Sequence, residues 1–282
     1  MVAGILEVQR KGNALEGARW LLLTLAACEA VGGDWRDAVT AAAAIELFIT
    51  AGDLLDDIED GDTPRGDVPH STNVACSLLL LSEKAALRLS DGRVAARVLQ
   101  TISGAGIRSC AGQYLDISYE RTDSLSEQSW LDMTALRSGA LLECVCRVGA
   151  IAGGGDERQI DIYARFGRLL GIAGQISNDL HVLNSDPPGS DLARKKKTFP
   201  LVYALNNAEG RDAEALRAYS RGENSDSEDF EEIRRILAQS GAFYYSTFVA
   251  EEYKLKAFQV LTDAGVVPEI VSRFESVTTA RG

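Results

Sequence analysis

The densest chemistry in this sequence lies in Asp53-Leu-Leu-Asp-Asp-Ile-Glu-Asp-Gly-Asp62. Asp56 and Asp60 are four residues apart, as are Asp53 and Asp57, so on a helix each pair shares a face. Like charges at that spacing weaken an isolated helix. Here they follow the apolar run Ala44 to Gly52 rather than a charged stretch. A divalent cation between the carboxylates would relieve the repulsion. Mg²⁺ takes oxygen ligands, typically one or two carboxylates together with the phosphates of a substrate. On spacing alone the same acids also read as a solvated helix end beside a Gly-Asp turn.

A second candidate is Gln175-Ile-Ser-Asn-Asp-Leu-His181, followed by the stretch from Ser190 to Pro200 with Lys195, Lys196 and Lys197. Asn178 and Asp179 interrupt an apolar helical pattern, where polar groups need partners or a wet cavity. The lysines read either as a solvated loop or, beside two acidic sites that bridge to a polyanion, as a basic closure over phosphate.

Helices must position these groups. Helical periodicity covers residues 13–31, 35–60, 72–89, 93–120, 126–153, 157–185, 198–207, 212–221, 227–239 and 241–263, and no run alternates as a strand does. Glycine and proline clusters punctuate the breaks, among them Gly32-Gly33, Gly153-Gly154-Gly155 and Pro187-Pro188-Gly189. Several helices are apolar on more than one face, as in the middle of a bundle. With no linker or repeat, residues 1–282 are expected to form one all-α domain.

Composition narrows the function. The 282 residues carry 29 Lys+Arg against 41 Asp+Glu, a net charge of −12, which argues against a nucleic-acid-binding surface. Two histidines leave little room for His-based catalysis or zinc. Cys28, Cys76, Cys110, Cys144 and Cys146 form no CxxC pair and lie in apolar helical runs, so all five are expected to be reduced core residues of a cytoplasmic protein. No signal peptide is visible, and no apolar stretch is long enough to predict a membrane span.

Together the two candidate segments resemble the trans-prenyltransferase (polyprenyl synthetase) family of class I isoprenoid synthases. The family's Asp-Asp-x-x-Asp reads here Asp56-Asp57-Ile58-Glu59-Asp60, with Arg65-Gly66 after it. The resemblance continues through Gly112-Gln113-Tyr114-Leu115-Asp116, then Arg137-Ser138-Gly139 where Lys-Thr-Gly is usual, then Gln175 to Asp179, then the loop ending at Pro200. The order and spacing hold over roughly residues 15–205. There are departures. The second acidic motif is Asn178-Asp179-Leu180-His181-Val182, and Val182 cannot ligate a metal. The family's Gly-Lys-Arg is reduced to Gly17-Ala18-Arg19, and Pro64 replaces one of the paired arginines that end the first motif's loop, leaving Arg65.

The resemblance implies an all-α isoprenoid synthase bundle around a central apolar cavity, a prenyl diphosphate substrate, two or three Mg²⁺ ions and a homodimer. It implies Asp56, Asp57, Asp60 and Asp179 as catalytic residues, with Asp56, Asp60, Asn178 and Asp179 as metal ligands and Asp57 in support. Arg19, Arg65, Gln113, Arg137, Gln175 and Lys196 would bind substrate. The residues four to five positions before Asp56 lie one turn along the helix. They are Gly52 and Ala51, which would leave room for a prenyl tail, with Phe48 as its floor or as an ordinary core residue. The expected reaction is ionisation of an allylic diphosphate followed by attack of isopentenyl diphosphate. The alternatives are cyclisation of farnesyl or geranylgeranyl diphosphate, and a noncatalytic partner subunit.

Overall fold

The computed structural model of the chain describes residues 19–120, 122–184, 196–221 and 227–279, and every regular element among them is helical. In chain order these are α1 (Arg19–Ala30), α2 (Trp35–Glu59), α3 (Val68–Ala86), α4 (Gly92–Tyr119) and α5 (Glu127–Thr134), which passes through a π turn (Ala135–Gly139) into α6 (Ala140–Ala152). Then come α7 (Glu157–Asn184), α8 (Phe199–Asn207), α9 (Gly210–Arg221), α10 (Ser227–Gln239), α11 (Ala242–Asp263) and α12 (Pro268–Thr279).

Local chemistry explains where these helices depart from the periodicity. α3 starts at Val68 rather than 72 because Pro69 occupies its first turn, where the missing N–H is no loss. The expected helix over 126–153 contains the π turn, which no proline or glycine pair announces. α12 was not expected at all. It too opens on a proline, and it buries Phe274 against Phe166 at 5.0 Å and Tyr163 at 5.7 Å.

The described residues divide into two compact units, one drawn from 19–105, 142–167 and 258–279 and the other from 106–141 and 168–257. In the first unit α2 buries Ala38, Ala41, Ala42, Ala44, Ile45, Phe48, Ile49 and Ala51 and packs on α1 and α3. By length and composition α2 could cross a membrane, but this alanine-rich face is packed within the unit. Ser82 of α3 donates to the Ala44 carbonyl at 2.7 Å. Two glycines of α6 bring it onto the backbone of α1. A Cβ on Gly149 would stand 2.1 Å from the Thr24 oxygen, and one on Gly153 would stand 2.6 Å from the Cys28 oxygen. Glu46 of α2 accepts the Leu21 N–H at 2.7 Å and so fixes the start of α1. Burial raises the Glu46 carboxyl above the usual range, against the lowering effect of that hydrogen bond.

The second unit holds two apolar clusters. One joins Trp130, Met133, Ile172, Ile176, Phe199, Val202 and Val249, and the other joins Leu201, Leu216, Tyr219, Ile236 and Leu237. Of the five cysteines, Cys28, Cys144 and Cys146 are buried as expected, and burial pushes Cys28 up to about 11 and Cys146 up to about 12. Cys76 and Cys110 are exposed, which corrects the expectation of five core residues. The apolar runs around them belong to helices whose outer face they occupy.

Two predictions follow from this packing. Gly149→Ala forces a methyl onto a backbone carbonyl that no side-chain rotation can clear, and should cost about 3 kcal/mol of stability in thermal or urea unfolding. Glu46→Gln keeps the acceptor for Leu21 and removes the ionisation. A carboxyl whose folded pKa is raised loses stability as pH climbs from its unfolded value through its folded one. The Gln variant should therefore gain on the parent as melts are moved from about pH 4 to about pH 7.

Candidate active site

The first acidic motif occupies the last turn of α2 and its cap. Asp60 is the C-cap, and Gly61, at φ 73°, takes the left-handed conformation that ends the helix. The Gly61 N–H donates to the Ile58 carbonyl at 3.2 Å and the Asp62 N–H to the Asp57 carbonyl at 2.8 Å, the paired bonds of a Schellman motif. Asp56 and Asp60 are half-buried, Asp53 and Asp57 are exposed, and no basic residue lies in the last turn. With Glu59, the last residue of α2, five carboxylates thus share the end of a helix whose own dipole is negative there. Among the described residues no group of three or more His, Cys, Asp or Glu side chains is placed to hold a metal ion. The donors are hard oxygens, too few to form a cage, which suits Mg²⁺ shared with substrate phosphate.

Other expected substrate residues of this unit separate by face. Arg65 is exposed in the turn between α2 and α3, and Arg19 is half-buried at the start of α1, two residues before the Leu21 N–H that Glu46 holds. Gly17 and Ala18 lie outside the described residues. Phe48 is 8% exposed and Ala51 has no exposed surface. The Ala51 methyl, expected to leave room for a tail, is buried in the core of this unit. Gly52 is exposed, and a Cβ there would meet nothing within 4 Å.

The second unit builds its polar cluster around the π turn. Gly112 of α4 approaches so closely that a Cβ would stand 2.7 Å from the Arg137 nitrogen, and one on Gly171 of α7 would stand 2.4 Å from the Ser138 oxygen. This approach lets Arg137 donate to Asp116 at 2.8 Å in a largely buried ion pair. Ser138 donates to Gln175 Oε1 at 2.7 Å, and Gln175 Nε2 donates to Asp179 Oδ1 at 2.9 Å. Asp179 is 4% exposed, and its Oδ2 accepts the Phe199 N–H at 2.9 Å. Asn178 is exposed and Val182 half-buried. Both polar side-chain atoms of Gln113 are buried without a hydrogen-bond partner among the described residues. Lys195 lies outside those residues and Lys196 is half-buried.

Sequence reasoning did not single out three participants, although Lys197 stood in the basic run and Ser138 in a family motif. Lys197 is 2% exposed, burial lowers its pKa against the opposing pull of Asp123 and Glu120, and its Nζ donates to Ser220 Oγ. Its carbonyl accepts the Trp130 Nε1–H at 2.6 Å. Nothing in the chain order distinguishes Lys197 from Lys196, since only the fold decides which turns inward. Ser138 stood inside a recognised motif and could have been singled out there. The Phe199 N–H carries no side-chain signal.

Comparison with known proteins identifies the family. The sequence model of the polyprenyl synthetase family matches residues 16–237. A geranylgeranyl diphosphate synthase of Mycobacterium tuberculosis is 31% identical over 89% of this chain and 76% of its own. A short chain isoprenyl diphosphate synthase of Methanothermobacter thermautotrophicus is 32% identical over 82% of this chain and 75% of its own. Among solved structures, a polyprenyl synthetase of Streptomyces coelicolor superposes with a TM-score of 0.82 at 27% identity, covering 91% of this chain and 82% of that one. With its acidic motifs, its helical fold and a family match over most of its length, this chain belongs to the polyprenyl synthetase family of isoprenoid synthases.

Proposed function

We propose that this protein is a chain-elongating prenyl diphosphate synthase, which ionises an allylic prenyl diphosphate and joins it to isopentenyl diphosphate to give a product of farnesyl to geranylgeranyl length or longer. The observation that carries this reading is the pairing of Asp56 with Asp60 at the negative end of α2, followed in family order by Arg65, Gln113, Arg137, Gln175 and Lys196. The two relatives are prenyl diphosphate synthases by name, and a match over three quarters of their lengths supports elongation.

In this reading Asp56 and Asp60 would hold Mg²⁺ at the first acidic motif, with Asp57 supporting them, and Asn178 would supply the ligand of the second motif. The bound ion would stabilise the negative charge that gathers on the departing diphosphate. Arg137 and Lys196 bind the same diphosphate and offset its charge. Arg19 and Arg65 hold the diphosphate of the second substrate, the Gln113 amide binds substrate, and Gln175 acts through its bonds with Ser138 and Asp179. The double bond of isopentenyl diphosphate attacks the allylic carbon, and the released diphosphate takes the proton that the adduct loses. Apolar walls keep water from the carbocation, with the tail passing the open side of Gly52 toward Phe48. The chain acts as a homodimer. Ile107, Cys110, Tyr114 and Ile117, exposed along one face of α4, support a second copy packing there.

Incubation with Mg²⁺ and geranyl, farnesyl or geranylgeranyl diphosphate, with and without isopentenyl diphosphate, tests the reading. Longer diphosphates that require isopentenyl diphosphate are expected. Hydrocarbons formed without it would indicate a cyclase, and no product at all would indicate a noncatalytic subunit. Asp56→Ala and Asp60→Ala should each lower turnover by at least about 100-fold in folded protein, with Asp57→Ala milder. Near-normal rates in the first two variants would contradict the assignment.

Chain length is set in this reading at Gly52. Gly52→Phe should shorten the product distribution seen by mass spectrometry, because its ring enters open space. Ala51→Phe should instead lower stability by about 1–3 kcal/mol, since its site is filled. An unchanged distribution in active Gly52→Phe protein would mean that the tail does not pass this face.

A further inference from the structure

Asn178 and Asp179 are neighbours with opposite surroundings. Successive residues of an α-helix point about 100° apart, and here Asn178 is exposed while Asp179 turns inward to 4% exposure. Each Asp179 oxygen already accepts a hydrogen bond, Oδ1 from Gln175 Nε2 at 2.9 Å and Oδ2 from the Phe199 N–H at 2.9 Å. Phe199 opens α8. The residue before it, Thr198, has the extended backbone of an N-cap, with φ −61° and ψ 153°, yet makes no side-chain capping bond. Position 200 is a proline with no N–H to satisfy. The first donor of α8 is therefore met from another helix, and a carboxylate at that end also meets the positive pole of the helix dipole.

The same stretch is fastened a second time two residues earlier. Lys197 is buried, with its Nζ on Ser220 Oγ and its carbonyl on Trp130 Nε1. The Thr198 N–H closes a turn onto the Lys196 carbonyl at 2.9 Å. Lys196 thus leaves a backbone anchored at 197 and at 199. At the other end of the relay, Ser138 donates to Gln175 Oε1 at 2.7 Å, which turns the Gln175 amide so that its NH₂ faces Asp179. Ser138 follows Arg137 in the π turn.

We propose that Asp179 is a positioning residue: it joins the end of α7 to the start of α8, so that Ser138, Gln175 and Asp179 form one hydrogen-bond relay fixing Lys196 with respect to the turn that carries Arg137. Metal binding at the second motif falls to Asn178, the member of the pair that faces outward. The functional consequence rests on the reading of Lys196 as a diphosphate-binding residue. The relay itself does not.

Two variants and two readouts test it. In Asp179→Asn the amide oxygen can still accept from Phe199. Its NH₂ can face a Gln175 amide that has turned over, with the Ser138 hydroxyl now accepting. Asp179→Ala removes both bonds. Amide hydrogen exchange of the metal-free protein, read by mass spectrometry over residues 196–203, should speed up at least tenfold in the Ala variant and stay within threefold of the parent in the Asn variant. In elongation assays the Ala variant should raise KM for the allylic diphosphate at least tenfold with kcat changed less than threefold. The Asn variant should raise KM only two- to fivefold, because a charge-assisted bond has become a neutral one. Half-saturating Mg²⁺, measured at saturating allylic diphosphate, should stay within twofold in both.

Parent-like exchange in the Ala variant would overturn the proposal. So would an Asn variant with parent-like exchange whose half-saturating Mg²⁺ rises tenfold or more, the behaviour of a metal ligand. Should the Ala variant fail to fold, the Asn variant decides by those same two values. If the parent itself elongates nothing, the functional reading fails while the exchange arm still decides the relay.

Discussion

The negative charge gathered at the C-terminal end of α2 is the constraint on which the rest of this structure depends. Four carboxylates at i, i+4 spacing repel one another, and the last carbonyls of the helix add to the same potential. A helix would normally place Lys or Arg in that turn, and α2 has none there. The arrangement is held by what lies upstream. Eight buried side chains, five of them alanines, fix the helix between α1 and α3, and a left-handed Gly61 closes it with backbone bonds that leave Asp56 and Asp60 on one face. Apolar packing a few turns away thus holds the helix end in place, and the hard oxygen donors gathered there suit a cation carried by phosphate.

The second unit solves a different problem. Its cations are held rather than concentrated. Arg137 is directed by Asp116, and the backbone beneath Lys196 is anchored through Lys197 and Phe199. Close approaches at Gly112 and Gly171 make this possible, because any side chain there would drive α4 and α7 away from the π turn. The extra residue of a π turn changes the direction of the side chains that follow it, which is one reason such turns recur at functional sites.

Much of this was legible in the chain. Apolar periodicity located most of the helices, and the first acidic motif announced itself because five acids in eight residues after an apolar run have few structural uses. Positions that depend on which way a helix faces were harder. Ala51 and Gly52 are equally small in sequence, yet one methyl is packed in the core and the other position opens outward. Asn178 and Asp179 are neighbours in sequence, yet the fold exposes one and buries the other. α12 was missed because its core contribution is centred on Phe274, and the π turn because no local breaker marks it. The bond from Asp179 to the Phe199 N–H spans twenty residues and ends on a backbone atom. No residue type could have revealed it.

The most direct measurement is the binding of Mg²⁺ to the protein by calorimetry, alone and in the presence of inorganic diphosphate. With no more than two carboxylates converging at the end of α2, Mg²⁺ alone should bind weakly. Diphosphate should produce saturable joint binding with affinity raised at least about tenfold, and Asp56→Ala should abolish that gain. Tight Mg²⁺ binding without diphosphate, or joint binding that survives the loss of Asp56, would contradict a site completed by the substrate's own phosphates.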